Sequence, residues 1–340
     1  MQSTYATRQD SGSMTISSGH WYVVLSSREL KKRPVGKTRF GTPLVFWRDA
    51  QGEVVCLEDR CPHRGAALSQ GCIKDGILAC PYHGIRFTGD GRCVEVPVED
   101  SWHIPDHFRA RSLQVRESQE YVWLWRGPAM ATDELPPPPV QPVATDATCF
   151  EECIQHWPTH YTRCVEGVID HSHIGFVHKR TLGLVMRDPI TRVEVHPIEG
   201  GFRSNLMKDG KIRHYIDLTY PNVWTQNLSD AYGMSTAFAP VDDKRTEVYC
   251  RLYHNKNRRG YRPLMALWNR FTQFMVFHED MAILATQSPA NVDDAQDDKL
   301  LPSDAAHVFY RKMRKQLQNE LAVASGGGEP QQLSRSSGAV

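Results

Sequence analysis

Cys61-Pro62-His63-Arg64-Gly65-Ala66 and Cys80-Pro81-Tyr82-His83-Gly84 decide how this chain is read. Each stretch is a short loop with one cysteine and one histidine, and sixteen residues separate His63 from Cys80. Two thiolates and two imidazoles suit a tetrahedral zinc ion. They also suit an iron–sulfur cluster with mixed ligands. Spacing separates the two. Zinc loops usually bring both sulfurs in on one C-x2-C knuckle, with the histidines on a helix. Here each loop offers one sulfur and one nitrogen, as two loops gripping opposite ends of a two-iron diamond would.

The pattern C-P-H-R-G followed by C-P-Y-H-G resembles the Rieske family, in which two thiolates hold one iron of a [2Fe–2S] cluster and two imidazoles the other. The resemblance implies that Cys61, His63, Cys80 and His83 bind that cluster. Rieske proteins of respiratory and photosynthetic complexes carry a further cysteine on each loop, joined as a disulfide. The matching positions here are Ala66 and Tyr82, so the chain looks like the lower-potential oxygenase and ferredoxin kind. Cys72 lies off the ligand spacing and is expected to be packing.

The rest of the chain bounds the answer. A lone Rieske domain needs about 100–120 residues, so 340 residues leave room for a second domain. A net charge of +1 offers no argument for nucleic acid or an acidic partner. Nine cysteines are too sparse for a disulfide scaffold. No run of apolar residues is long enough for a membrane span, and residues 1–18 lack the apolar core of a secretory signal. The expectation is a cytoplasmic protein in a reducing compartment, with no membrane partner.

Residues 1–18 are expected to be disordered. Short β-rich segments then follow at regular spacing, among them Trp21–Val24, Pro43–Arg48, Glu53–Leu57, Arg92–Pro97, Leu113–Arg116 and Tyr121–Trp125. Gly and Asp-Gly turns separate them, which suits a small antiparallel β domain over 19–130. The six basic residues from Arg28 to Arg39 read as a solvated face, with docking of an acidic ferredoxin as the sharper alternative. Leu135 and the four prolines after it mark a linker over 131–145. A second domain over 146–323 is expected to open with a strand over Cys149–Trp157 and a helix over 161–171. Alternating apolar residues over 190–255 then read as an antiparallel sheet, followed by a long helix over Pro263–Gln287 and a shorter one over Ala305–Leu321. Residues 324–340 are Gly-, Gln- and Ser-rich and are expected to be disordered. The fold class is therefore α+β: an antiparallel β domain, then an antiparallel sheet covered by helices in a helix-grip-like arrangement.

The spacing Asp170-x2-His173-x4-His178 carries the chemistry. A helical turn sets 170 and 173 on one face, and the following loop can return His178 to them. Two histidines five apart are usually ordinary surface or core residues. Downstream of the cluster loops they resemble the D-x2-H-x4-H motif of Rieske oxygenases, in which two imidazoles and one carboxylate hold a mononuclear iron(II) with open positions. The carboxylate is expected on the long helix. Glu279-Asp280, seven residues before Gln287, resembles the family's E-D-x6-Q segment and points to Asp280. Glu279 would face about 100° away and is read as a solvated charge.

The resemblance implies further roles. Asp170 would bridge, by hydrogen bonds, a Rieske histidine of one subunit and an iron-ligand histidine of the next. That in turn implies a ring of subunits, commonly a trimer. Glu166 matches a position near the iron. Gly167 departs from the pattern, since many relatives carry Asn there. The implied activity is that of a terminal oxygenase using O2 and two electrons on a small, largely hydrophobic organic substrate, by monohydroxylation or O- or N-demethylation. A cis-dihydroxylating aromatic dioxygenase is the alternative. A Rieske electron carrier whose second domain only binds a ligand is the alternative from another class. No G-x-G-x-x-G follows a strand and no plant-type cluster motif is present, so electrons are expected from a separate NAD(P)H-dependent reductase, with or without a ferredoxin. Tyr215, Leu218, Trp224, Met234 and Phe238 are candidates to line a substrate cavity, with core packing as the ordinary reading.

Overall fold

The computed structural model describes residues 17–324 apart from 100, 144–147, 180–191, 230–231, 256–266 and 268–274. Eighteen strands occur among these. The first eleven are β1 (His20–Ser26), β2 (Val35–Arg39), β3 (Thr42–Arg48), β4 (Val54–Glu58), β5 (Cys72–Lys74), β6 (Ile77–Ala79), β7 (Arg86–Phe87), β8 (Cys93–Glu95), β9 (Ser112–Leu113), β10 (Val115–Ser118) and β11 (Tyr121–Arg126). They form three small antiparallel sheets, ordered β1-β11-β10, β2-β3-β4-β9 and β5-β6-β7-β8. The mostly apolar Tyr121–Trp125 segment does close this part of the chain, pairing with β1 at its beginning.

The remaining seven are β12 (Thr148–Trp157), β13 (Arg192–Ile198), β14 (Gly201–Lys208), β15 (Lys211–Thr219), β16 (Val223–Ser229), β17 (Tyr232–Asp242) and β18 (Arg245–Asn255). They make one antiparallel sheet in the order β12-β18-β17-β16-β15-β14-β13. Four helical stretches accompany it: α1 (Tyr161–Ile169), α2 (Ile174–Val177), α3 over 275–284 and α4 (Ala305–Ala324). The helix expected over Pro263–Gln287 ends at Leu284, with a turn following over 285–286; of its first part, 263–274, only Leu267 is described. Helix α4 runs on to Ala324, and the tail from 325 onward lies outside the described residues. So do residues 1–16, but the expected disorder does not reach Ser17, which is buried against Tyr220 and Tyr22.

The inner face of the large sheet is apolar at alternate positions. Phe202, Leu218, Trp224, Phe238 and Val248 pack there with Tyr161 and Val165 of α1 and with Ala306 and Tyr310 of α4. The same cluster takes in Tyr22, Leu44, Phe46 and Leu124 of the first sheets, so both halves share one core. Ion pairs bolt them further. Arg39 of β2 bonds Glu247 and Tyr249 of β18, and Lys37 reaches Glu247 at 2.7 Å. Burial raises the Glu247 pKa, but the charges of Arg39 and Lys37 outweigh it and bring it down to about 2. Arg28 pairs with Glu120 at the surface, so two of the six basic residues between Arg28 and Arg39, Lys37 and Arg39, are held internally. That leaves Lys31, Lys32 and Arg33 exposed beside the surface-paired Arg28.

Candidate metal centres and the carboxylate between them

The two cluster loops share one backbone template. Cys61 N–H donates to Ala66 O and Gly65 N–H to Cys61 O; Cys80 N–H donates to Ile85 O and Gly84 N–H to Cys80 O. Each loop turns through a glycine at positive φ, 75° at Gly65 and 69° at Gly84, a conformation that only glycine adopts without strain. Cys61 and Cys80 are buried within a core of Val45, Trp47, Leu57 and Phe87. The imidazoles of His63 and His83 lie side by side, centroids 4.7 Å apart and planes tilted by 56°. Burial pushes the Cys61 thiol up to about 11, with the neighbouring Cys80 thiol adding to the shift. Two adjacent buried sulfurs and two neighbouring, less buried imidazoles match the donor set of a Rieske cluster. Cys72 is not packing: it is exposed on β5. No cysteine is bridged.

The second centre is assembled by α1, α2 and α3. His160 caps α1 by accepting from Thr162 N–H, and α1 stops at Ile169. Its end delivers Asp170 to the turn, and α2 spaces His173 from His178 by one helical turn. Gly167 lets α3 approach closely: a Cβ there would sit 2.8 Å from Leu284 Cδ1. One turn before Leu284, Asp280 Oδ1 lies 2.9 Å from His178 Nε2 and 3.4 Å from His173 Nε2. The two imidazole nitrogens are 3.2 Å apart. Ligands about 2.1 Å from a cation and at right angles to one another sit about 3 Å apart, so these three atoms fit one metal ion on one face. Burial lowers the His173 pKa, but the neighbouring carboxylates of Asp170 and Asp280 outweigh it and raise it to about 9. A divalent cation would supply the positive charge that this proton supplies.

Glu279 is not the solvated charge its place in the sequence suggests. Its Oε2 lies 2.9 Å from His178 Nδ1, on the ring edge opposite Asp280. An acceptor there fixes which nitrogen carries the proton and leaves Nε2 for the metal. Glu279→Leu removes this acceptor and is expected to weaken iron binding by about tenfold to a hundredfold, while Glu279→Gln keeps most of it; iron titration of the two variants checks both.

Asp170 does not join the three donors. Its Oδ2 is 3.6 Å from His173 Nδ1, on the far side of that ring from the metal position. It lines an open cavity of about 440 Å³ with His173, Asp280, Glu166, Val177, Ile283 and Leu300 among others. Glu166 shares the cavity but is tied down, accepting from Arg163 at 2.9 Å and from Arg311 at 2.6 and 3.0 Å. Two features escaped the sequence reading. His307 of α4 lines the same cavity with its Nδ1 buried and unpartnered. Polar pairs also interrupt the inner face of the sheet: His171 Nε2 lies 3.0 Å from Ser204 Oγ, and Gln226 Nε2 lies 2.7 Å from His214 Nε2. Of the cavity candidates, Tyr215 is on the opposite face, with Asn227 bonded to its hydroxyl and Arg203 over its ring. Leu218 and Phe238 are fully buried core, whereas Trp224 and Met234 keep a little exposure on the inner face.

A mixed Cys–His cluster domain joined to a sheet-and-helix domain with two histidines and a carboxylate defines a class: two-centre iron proteins of the Rieske oxygenase type. Residues 20–115 match the family model for the Rieske [2Fe-2S] domain, and residues 210–320 match that for the vanillate O-demethylase oxygenase C-terminal domain. The chain belongs to the Rieske oxygenase family. It is 34% identical over 200 residues to the oxygenase component of dicamba O-demethylase of Stenotrophomonas maltophilia, covering 57% of each chain. The solved structure of Pseudomonas putida CBB5 NdmA superposes with a TM-score of 0.76 at 22% identity, over 90% of this chain and 92% of that one. Dicamba monooxygenase bound to dicamba superposes at 0.74 and 21% identity, over 91% and 100%. In sequence, the matched stretch spans 30% to 57% of the first curated relatives. Among the described residues no helix is long and apolar enough to cross a membrane.

Proposed function

We propose that the chain is the terminal oxygenase of a multicomponent Rieske system, acting on a small, largely hydrophobic organic substrate by monohydroxylation or by O- or N-demethylation. The observation that carries this is the convergence of His173, His178 and Asp280, whose donor atoms all lie within 4.8 Å of one another. An electron carrier with a passive second domain has no use for such a set. Demethylation is favoured over cis-dihydroxylation because the matched relatives include dicamba and vanillate O-demethylases.

Cys61, His63, Cys80 and His83 would hold the [2Fe–2S] cluster, and His173, His178 and Asp280 the mononuclear iron. Bound there, iron(II) supplies open positions for dioxygen, and the cluster supplies electrons one at a time. The side chains do the positioning. Glu279 holds the His178 tautomer, and Asp170 stands 3.6 Å from His173 Nδ1, placed to accept from it while keeping acceptor capacity toward the cavity. The domains proposed are 19–130 and 146–323, joined by 131–145, in keeping with strands that stop at Arg126 and resume at Thr148. Electrons would come from a separate reductase, with or without a ferredoxin, in a reducing cytoplasm that suits unbridged cysteines.

A homotrimeric ring is the assembly proposed, and two exposed apolar patches that do not match themselves support a head-to-tail contact. Tyr82 is 59% exposed with its ring stacked on His83, and Val98 is 60% exposed nearby in the chain. Around the Asp170 cavity, Ile283 is 51% and Phe176 81% exposed. Two different patches on one chain would pair head-to-tail between copies, an arrangement that makes a ring where the rotation closes. Asp170 would then accept from His173 and from a cluster histidine of the neighbouring copy. Iron and acid-labile sulfide per chain test the reading. About three irons for two sulfides are expected; two for two, persisting after iron(II) is added back, would leave only the electron carrier.

A further inference from the structure

We propose that Ser172 is the positioning residue of the Asp170 carboxylate, locking it in the orientation that electron transfer between the two centres requires. This rests on the bridging role of Asp170. Both hydrogen bonds of the lock go to one oxygen: Ser172 N–H and Ser172 Oγ–H each reach Asp170 Oδ1 at 2.6 Å. A carboxylate has about four lone-pair sites, two on each oxygen. With Oδ1 engaged twice from its own turn, Oδ2 is the oxygen left to serve imidazoles. It faces His173 Nδ1 at 3.6 Å, and that nitrogen is buried with no partner at full hydrogen-bond distance. The gap is small enough for a slight docking movement to close.

The lock matters because the outer torsion of an aspartate is otherwise broad. A freely turning carboxylate would share its two oxygens among solvent and both rings. Fixed through Oδ1, it presents a single acceptor with one lone-pair direction toward His173 and the other toward the cavity. The backbone N–H alone cannot do this, since one bond leaves rotation about its own axis; the hydroxyl supplies the second point. Ser172 is neither one of the three metal donors nor one of the residues lining the cavity, so its effect acts through Asp170.

The test uses the full-length, cluster- and iron-loaded protein with the mononuclear iron oxidised to the ferric state. A reducing pulse delivers one electron to the cluster, and recovery of the oxidised-cluster absorbance follows its passage to the ferric iron, leaving an oxidised cluster and ferrous iron. No substrate is needed. Ser172→Ala is expected to slow the recovery by about tenfold with iron and sulfide contents unchanged, and Ser172→Thr, which keeps the hydroxyl, to run within about twofold of the parent. Asp170→Asn is the reference. If Asp170→Asn is slow and Ser172→Ala runs at the parent rate, the positioning role is overturned and the bridge stands. Parent-like recovery in Asp170→Asn overturns both. Loss of iron in Ser172→Ala, or no rescue by Ser172→Thr, marks Ser172 as structural and overturns the proposal.

Discussion

Asp280→Ala abolishes turnover and leaves the visible spectrum of the cluster intact. The expected loss is at least about a hundredfold in rate, since removing a ligand exceeds the tenfold to hundredfold cost of disturbing the groups around one. The reason lies in the distances. Asp280 Oδ1 is the atom both imidazoles approach, at 2.9 and 3.4 Å, and no other acid among the described residues joins that set. Glu279 cannot replace it, because it stands at the opposite edge of His178. The cluster loops belong to a separate hydrophobic core, so the thiolate-to-iron absorption should not change. Iron per chain should fall from about three to about two with sulfide constant at about two. Retained turnover and retained third iron would remove Asp280 from the site.

Asp170→Asn is expected to keep both metals and stop their communication. The amide is nearly isosteric, and its oxygen can still accept from Ser172. Its other end then donates where the carboxylate accepted, and it faces N–H groups of imidazoles with N–H of its own. The negative charge that favours two polarised N–H donors is also lost. The rate of electron passage between cluster and iron should fall by roughly a hundredfold or more, with unaltered metal content and a normal cluster spectrum. Single-turnover product yield after reduction of the cluster measures the same quantity once a substrate is in hand. A normal yield would show that the path does not run through Asp170.

The cluster loops illustrate how far sequence reaches. Cys61, His63, Cys80 and His83, with a glycine two residues beyond His63 and one beyond His83, specify both the ligands and the turns, because ligand spacing within a loop is local. The same holds for Asp170, His173 and His178, which one turn, one short helix and its cap bring together. Most strands were legible from two-residue alternation, and the shared direction of Phe202, Leu218 and Phe238 toward the core follows from that period.

What only the tertiary structure decided are the pairings between segments distant in the chain. Asp280 and Glu279 are neighbours in sequence, and a helix turns them about 100° apart. Yet His178 inserts between them and uses one on each ring edge, which no periodicity foretells. Glu166 matched a position near the iron, but Arg311 arrives from α4, 145 residues on, and occupies both of its oxygens. Tyr215 and Trp224 are both aromatic residues on strands, and the register of β14, β15 and β16 alone sets them on opposite faces. The dominance of Asp170 Oδ1 by Ser172 was local and still missed, because a serine two residues after an aspartate does not mark the bond until the backbone turn is seen. Sequence alone determined the ligands and the local turns that present them. Folding decided which side chains face one another across those turns, because that depends on the packing of helices onto a sheet, and helix faces are set by contact rather than by order along the chain.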